Sequence, residues 1–133
     1  MTKRRFLFWL TAAVLAAFAP NALGHSTVKR TVPPSGSVLG SSPDEVVIEF
    51  NEAARMTSVV VVAAGKADRK LAFEPSGSAK SFVVRRPDLS AGRNEIQWKA
   101  LSRDGHPIGG SIIVVIKPGA EAKAPPSPGH GSR

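Results

Sequence analysis

Hydrophobic and polar positions alternate in short bursts along most of the chain, without a persuasive helical period. Between Val46 and Phe50, the residues Val46, Ile48 and Phe50 fall on one face and Val47 and Glu49 on the other. That period of two is the mark of a strand with one buried side. Ser58 to Ala63 is a valine run, and its β-branched side chains favour a strand over a helix. Further short strands are predicted over Lys70 to Phe73, Ser81 to Arg85, Asn94 to Ala100 and Ser111 to Lys117. Between them lie turn clusters, Pro33-Pro34-Ser35-Gly36-Ser37, Ser41-Ser42-Pro43-Asp44 and Ala64-Gly65-Lys66-Ala67-Asp68. About seven short strands with regular turn signals predict an all-β protein, a single-domain antiparallel immunoglobulin-like β-sandwich of Greek-key type. Ile96 and Trp98 then face the core, with Trp98 as its central aromatic.

The two ends of the chain break this pattern. Lys3, Arg4 and Arg5 form a basic head, followed by an uncharged apolar stretch from Phe6 to Ala19. That stretch is shorter than the roughly 20 residues needed to cross a bilayer but suits a secretory signal. Ala22-Leu23-Gly24 offers the small residues that signal peptidase reads. Cuts after Ala19 or Ala22 would leave Pro20 badly placed near the scissile bond. Residues 1–24 are therefore expected to be removed, which makes His25 the first residue of the mature protein. Arg4-Arg5-Phe6-Leu7 resembles a twin-arginine signal without its spacer residue, and the strong hydrophobicity favours the general secretory route. Residues 25–118 are expected to form the sandwich, and residues 119–133, rich in Ala, Pro, Gly and Ser, a disordered tail. His130 lies in that tail and reads as incidental.

Removing the leader leaves 109 residues, enough for one domain, and lowers the net charge from +8 to +5. The remaining basic residues are scattered pairs without aromatic interleaving, a solvated surface and not a nucleic-acid interface. No second apolar segment follows, so the mature chain is expected to be soluble and not membrane-spanning, and it is read as an exported monomer. The chain has no cysteine, which removes thiolate metal sites and thiol chemistry and leaves stability to the hydrophobic core.

Chemistry concentrates in Trp98-Lys99-Ala100-Leu101-Ser102-Arg103-Asp104-Gly105-His106-Pro107-Ile108-Gly109-Gly110. If this run is extended, Asp104 and His106 share a face. A carboxylate beside an imidazole serves as two metal ligands or as a base and its orienting acid. Taken alone, the run reads first as a polar hairpin corner. His25 changes the balance, because an N-terminal histidine offers its α-amine and ring Nδ1 to one metal ion as a chelate. The amine's ordinary pKa of about 8 lets a metal displace its proton near neutral pH. With His106 the set has three nitrogens, and Asp104 adds an oxygen. Such a tetragonal N,O set suits Cu(II). Zinc could use the same ligands, although its structural sites are tetrahedral and often include cysteine. Cu(I) wants soft sulfur, and the mature chain has only Met56, which otherwise reads as a packing or surface residue.

Over nearly all of His25 to Lys117 the sequence resembles the CopC-type periplasmic copper-binding proteins. The resemblance rests on the histidine exposed by cleavage, Pro34-Ser35-Gly36-Ser37, the Glu49-Phe50-Asn51-Glu52 segment, and above all Trp98 to Ser111. It implies a small β-sandwich holding one Cu(II) per chain through His25, Asp104 and His106. It also implies that Glu52 lies near the copper and tunes the site through a hydrogen bond. Without a methionine-rich loop, the chain looks like the Cu(II)-only variety. A role in copper homeostasis or resistance follows, with delivery to an inner-membrane copper transporter of CopD type and no enzymatic activity.

Blander readings stand beside these. Glu52 could be an ordinary solvent-facing carboxylate, and Trp98 is a core residue whether or not it senses copper. Ser102 and Arg103 flank the site with no role that the sequence requires. Two other functions compete. A histidine-brace copper oxygenase would need an extended substrate face, which the 94 residues from His25 to Pro118 leave little room for, and the chain has no axial tyrosine. A metal-free immunoglobulin-like scaffold module would bind no copper at all.

Overall fold

The computed structural model describes residues 28–120. The expected leader, His25, and the tail with His130 lie outside them. Within them there are seven strands and no helix: β1 (Val28–Val32), β2 (Ser37–Leu39), β3 (Glu45–Ala63), β4 (Arg69–Lys70), β5 (Ser78–Arg85), β6 (Gly92–Leu101) and β7 (Pro107–Ile116). The protein is all-β, as the alternation predicts, and no described helix is long and apolar enough to cross a membrane.

The strand path runs β1-β3-β6-β7-β2, with β4 and β5 also paired to β3. The outermost strands of this path, β1 and β2, are consecutive in sequence, so only Pro33 to Gly36 joins them. Four residues span at most about 14 Å, so the two edges must lie close. The path therefore curls back on itself into two facing layers.

β3 belongs to both layers. Its first part, Glu45 to Phe50, pairs with β1 on one side and β5 on the other. Its second part, Arg55 to Ala63, pairs with β6. The sequence pattern marks two separate strands here, Val46 to Phe50 and Ser58 to Ala63, because Asn51 to Thr57 does not alternate. That stretch holds neither Gly nor Pro, so nothing ends the strand and it runs through as 19 residues. It bends through register shifts between Glu49 and Ala54 against β5 and between Met56 and Ser58 against β6. Strands that change layers do so at such irregularities.

The second shift also resets which side chains face inward. Even positions Val46, Ile48, Phe50, Ala54 and Met56 are buried before it, and odd positions Val59 and Val61 after it. One extra residue, Thr57, reverses the parity, as a period of two requires. Its hydroxyl donates to the Lys99 carbonyl at 3.0 Å, which anchors the bulge to β6.

Other elements depart from the pattern in detail. β1 and β2 form where the alternation delimits no strand, and β4 is only Arg69–Lys70. Leu71 and Phe73, expected in a strand with Lys70, pack on the core from irregular chain. All ladders are antiparallel except β2 with β7, which is parallel. Here the chain arrives from the other layer, and Ser35 Oγ accepts from the Ile113 amide at 2.9 Å.

Trp98 is buried in the core as expected, at 5% exposure. Phe50, however, sits at the centre of the aromatic cluster. Its ring meets Trp98 edge-on at 5.3 Å and Phe82 edge-on at 5.9 Å. Such pairs add about 0.5–1.5 kcal/mol beyond the burial itself. Because Phe50 contacts β5 and β6 from the turning point of β3, it ties the two layers together near one end of the sandwich.

Candidate metal site

That end is defined by the registers. Arg55 is the last β3 residue to pair with β6, opposite Leu101, and Leu101 also pairs with Pro107 of β7. The turn joining β6 to β7 therefore lies just past Arg55. Glu52 lies further along β3 in the same direction. β1 begins here too, with Val28 opposite Phe50.

The β6–β7 turn carries Asp104 and His106, but not in the extended form that would put both on one face. The Ser102 carbonyl accepts from the Gly105 amide at 2.8 Å, and the Ser102 amide donates to the His106 carbonyl at 2.8 Å. Gly105 takes φ of +80°, a conformation that side chains disfavour. These are the features of a three-residue hairpin loop, a tight turn followed by a residue in the left-handed region. Gly105 is required for this geometry, not merely small. Because the chain reverses through Arg103 to Gly105, alternation along a strand does not relate Asp104 to His106. What relates them is that both lie on this one turn.

Both residues are exposed. Among the described residues neither the Asp104 carboxylate nor the His106 ring has a hydrogen-bond or ion-pair partner. That sets Asp104 apart from most of the described glutamates. Glu45 and Glu74 pair with Arg85, Glu95 with Arg93, and Glu49 with Lys29 and Arg30. The Arg30 guanidinium, followed by the Lys29 ammonium, holds the Glu49 carboxyl below its ordinary range. Glu52, by contrast, is exposed and unpaired. Of the two glutamates in Glu49-Phe50-Asn51-Glu52, only Glu52 is free to turn to another partner.

Asp104 and His106 alone are two donors. No three His, Cys, Asp or Glu side chains gather as a metal-holding group among the described residues. The expected chelating residue, His25, lies outside them. Ser102 is the feature that the sequence leaves without a role. Its hydroxyl oxygen accepts from the His106 amide at 3.1 Å, beside its two main-chain bonds in the same turn. Serine three residues before a glycine gives no warning of this, because the bond depends on the turn closing.

The CopC domain model matches residues 28–116, well over half of the chain. The chain belongs to the CopC domain family. Two CopC-related proteins show where the likeness extends. Copper resistance protein C of Escherichia coli is 29% identical over 126 residues, covering 81% of this chain and 94% of its own length. Copper transport protein CutJ of Bacillus subtilis (strain 168) is 27% identical over 115 residues, 82% of this chain but only 21% of CutJ. This chain thus spans about a fifth of that larger relative. Among solved structures, CopC from Methylosinus trichosporium OB3b superposes with a TM-score of 0.59 at 17% identity, covering 73% of this chain and 98% of that one. At that identity the match establishes the CopC β-sandwich fold.

Proposed function

We propose that the mature chain, beginning at His25, binds one Cu(II) through the His25 α-amine and ring, Asp104 and His106, with Glu52 beside the metal. The carrying observation is that Asp104 and His106 sit exposed and unpartnered on one tight turn, at the end of the sandwich where β1 begins. His25 precedes Val28 by three residues, a reach of about 10 Å when extended, which suits a chelate supplied from that side. The donor set is nitrogen and carboxylate oxygen, which fits Cu(II). The sulfur that could attract Cu(I), Met56, is buried in the core at 5% exposure.

The reading that follows is a copper carrier or buffer in copper homeostasis or resistance, as the names of its relatives suggest, acting in the periplasm as a monomer. It receives Cu(II) at an exposed site and passes it to an inner-membrane transporter of CopD type. An exposed site of a few ligands on a surface turn can be approached by a receiving protein without unfolding anything. The same simplicity speaks against an oxygenase.

The test is a Cu(II) titration of the protein starting at His25, read by spin resonance and chelator competition. One equivalent giving a nitrogen-rich type 2 spectrum supports the proposal. Absence of binding would leave the metal-free scaffold, and vigorous ascorbate-driven peroxide production by the loaded protein would point to the oxygenase.

A further inference from the structure

We infer that Ser102 is a positioning residue for the copper ligand His106, an inference that rests on the ligand assignment above. The His106 ring has no partner of its own, so its placement follows from the backbone at residue 106. That backbone is held from one residue. The Ser102 amide donates to the His106 carbonyl at 2.8 Å, and the Ser102 hydroxyl accepts from the His106 amide at 3.1 Å. The Ser102 carbonyl meanwhile accepts from Gly105 at 2.8 Å and closes the turn through Asp104. Two of these three bonds are main-chain and survive any substitution except proline. Only the hydroxyl bond depends on the side chain.

The consequence is specific. Without the hydroxyl acceptor the His106 amide is freed, and the turn samples conformations that carry the ring away from its place on the closed turn. Binding must then restore the order that Ser102 supplies in advance, so the apparent affinity falls by the fraction of time the turn is competent. The expected loss is roughly three- to tenfold, the scale of one neutral hydrogen bond.

The experiment uses the mature chain with Ser102→Ala, and the isosteric pair Ser102→Thr and Ser102→Val, which differ only in the hydroxyl. Three readouts are taken: Cu(II) competition, the spin-resonance spectrum, and hydrogen exchange of the His106 amide in the metal-free protein. The expected result is weaker Cu(II) binding and faster His106 exchange in the alanine and valine variants, with threonine restoring both. The inference is overturned by threonine and valine variants of equal affinity, or by unchanged His106 exchange in Ser102→Val. A different pattern separates the two levels of argument. If His106→Ala itself binds Cu(II) like the unaltered protein, the ligand assignment fails and takes this inference with it. If His106→Ala abolishes binding while Ser102→Val does not weaken it, only the positioning role is lost.

Discussion

Gly110 lies directly beneath the Trp98 indole: a Cβ at position 110 would come within 2.7 Å of Trp98 Cζ2 and 3.0 Å of Nε1. The two residues are paired across β6 and β7, so the tryptophan ring fills the space that the glycine leaves. In a motif that ends Gly109-Gly110, the second glycine therefore serves the core and not the metal. Gly110→Ala is expected to cost about 1–3 kcal/mol, the usual range for overpacking, and to lower the melting temperature measured by circular dichroism. Gly109→Ala, whose nearest foreseen contact is the Trp98 carbonyl at 3.1 Å, should cost less. Equal costs for the two would contradict this division.

His106→Ala separates the site from the fold in the opposite sense. His106 is exposed on a turn, so its loss opens no cavity, and stability should change by no more than about 0.5 kcal/mol. Cu(II) affinity should fall by orders of magnitude. A variant that unfolds would instead make His106 a structural residue.

Affinity should depend equally on the free α-amine of His25. A protein carrying one added glycine before His25 keeps the imidazole but loses the amine ligand and its chelate ring. Cu(II) competition on the two forms compares them directly, with a large loss expected for the extended chain. If they bind alike, the N-terminus is not a ligand.

Cu(I) provides a further check. With Met56 buried and no cysteine in the chain, competition against a chromogenic Cu(I) chelator should show little or no binding. Tight Cu(I) uptake would mean that the core opens at Met56.

The paired glutamates predict an acid-side loss of stability. Glu49 is held below its ordinary value of 4.5 by hydrogen bonds from Arg30 and then Lys29, and Glu95 is held down first by the Ser111 hydroxyl and then by Gln97. Folding favours their charged forms, so their contribution is present above the unfolded value near 4.5. It is lost as pH falls through the depressed folded values. Denaturant midpoints should thus show no pH dependence from them through neutral pH, where their contribution is fully present, and a decline on the acid side. Glu49→Gln should shallow that decline. Both carboxylates lie at the surface, so added salt should shrink the effect.

The sequence by itself determined the class of fold and the chemistry of the turn. Alternation at Val46 to Phe50 and at Asn94 to Ala100 depends only on the two-residue period of a strand, so it is visible without any partner. The residue types of Asp104, Gly105 and His106 likewise state their chemistry locally. Tertiary structure decided the rest. Whether Asn51 to Thr57 breaks or continues β3 depends on partners in both layers, because polar residues in an edge region leave no periodic trace. Thr57 reverses the inward parity of β3 only because β6 accepts a bulge opposite Lys99. The short strands β1 and β2 exist only because β3 and β7 offer them free edges. Around the site, an extended run would set Asp104 and His106 on one face, whereas the chain reverses through a closed turn that carries both. Ser102 could acquire its role only there, since its hydroxyl meets the His106 amide once the turn has formed.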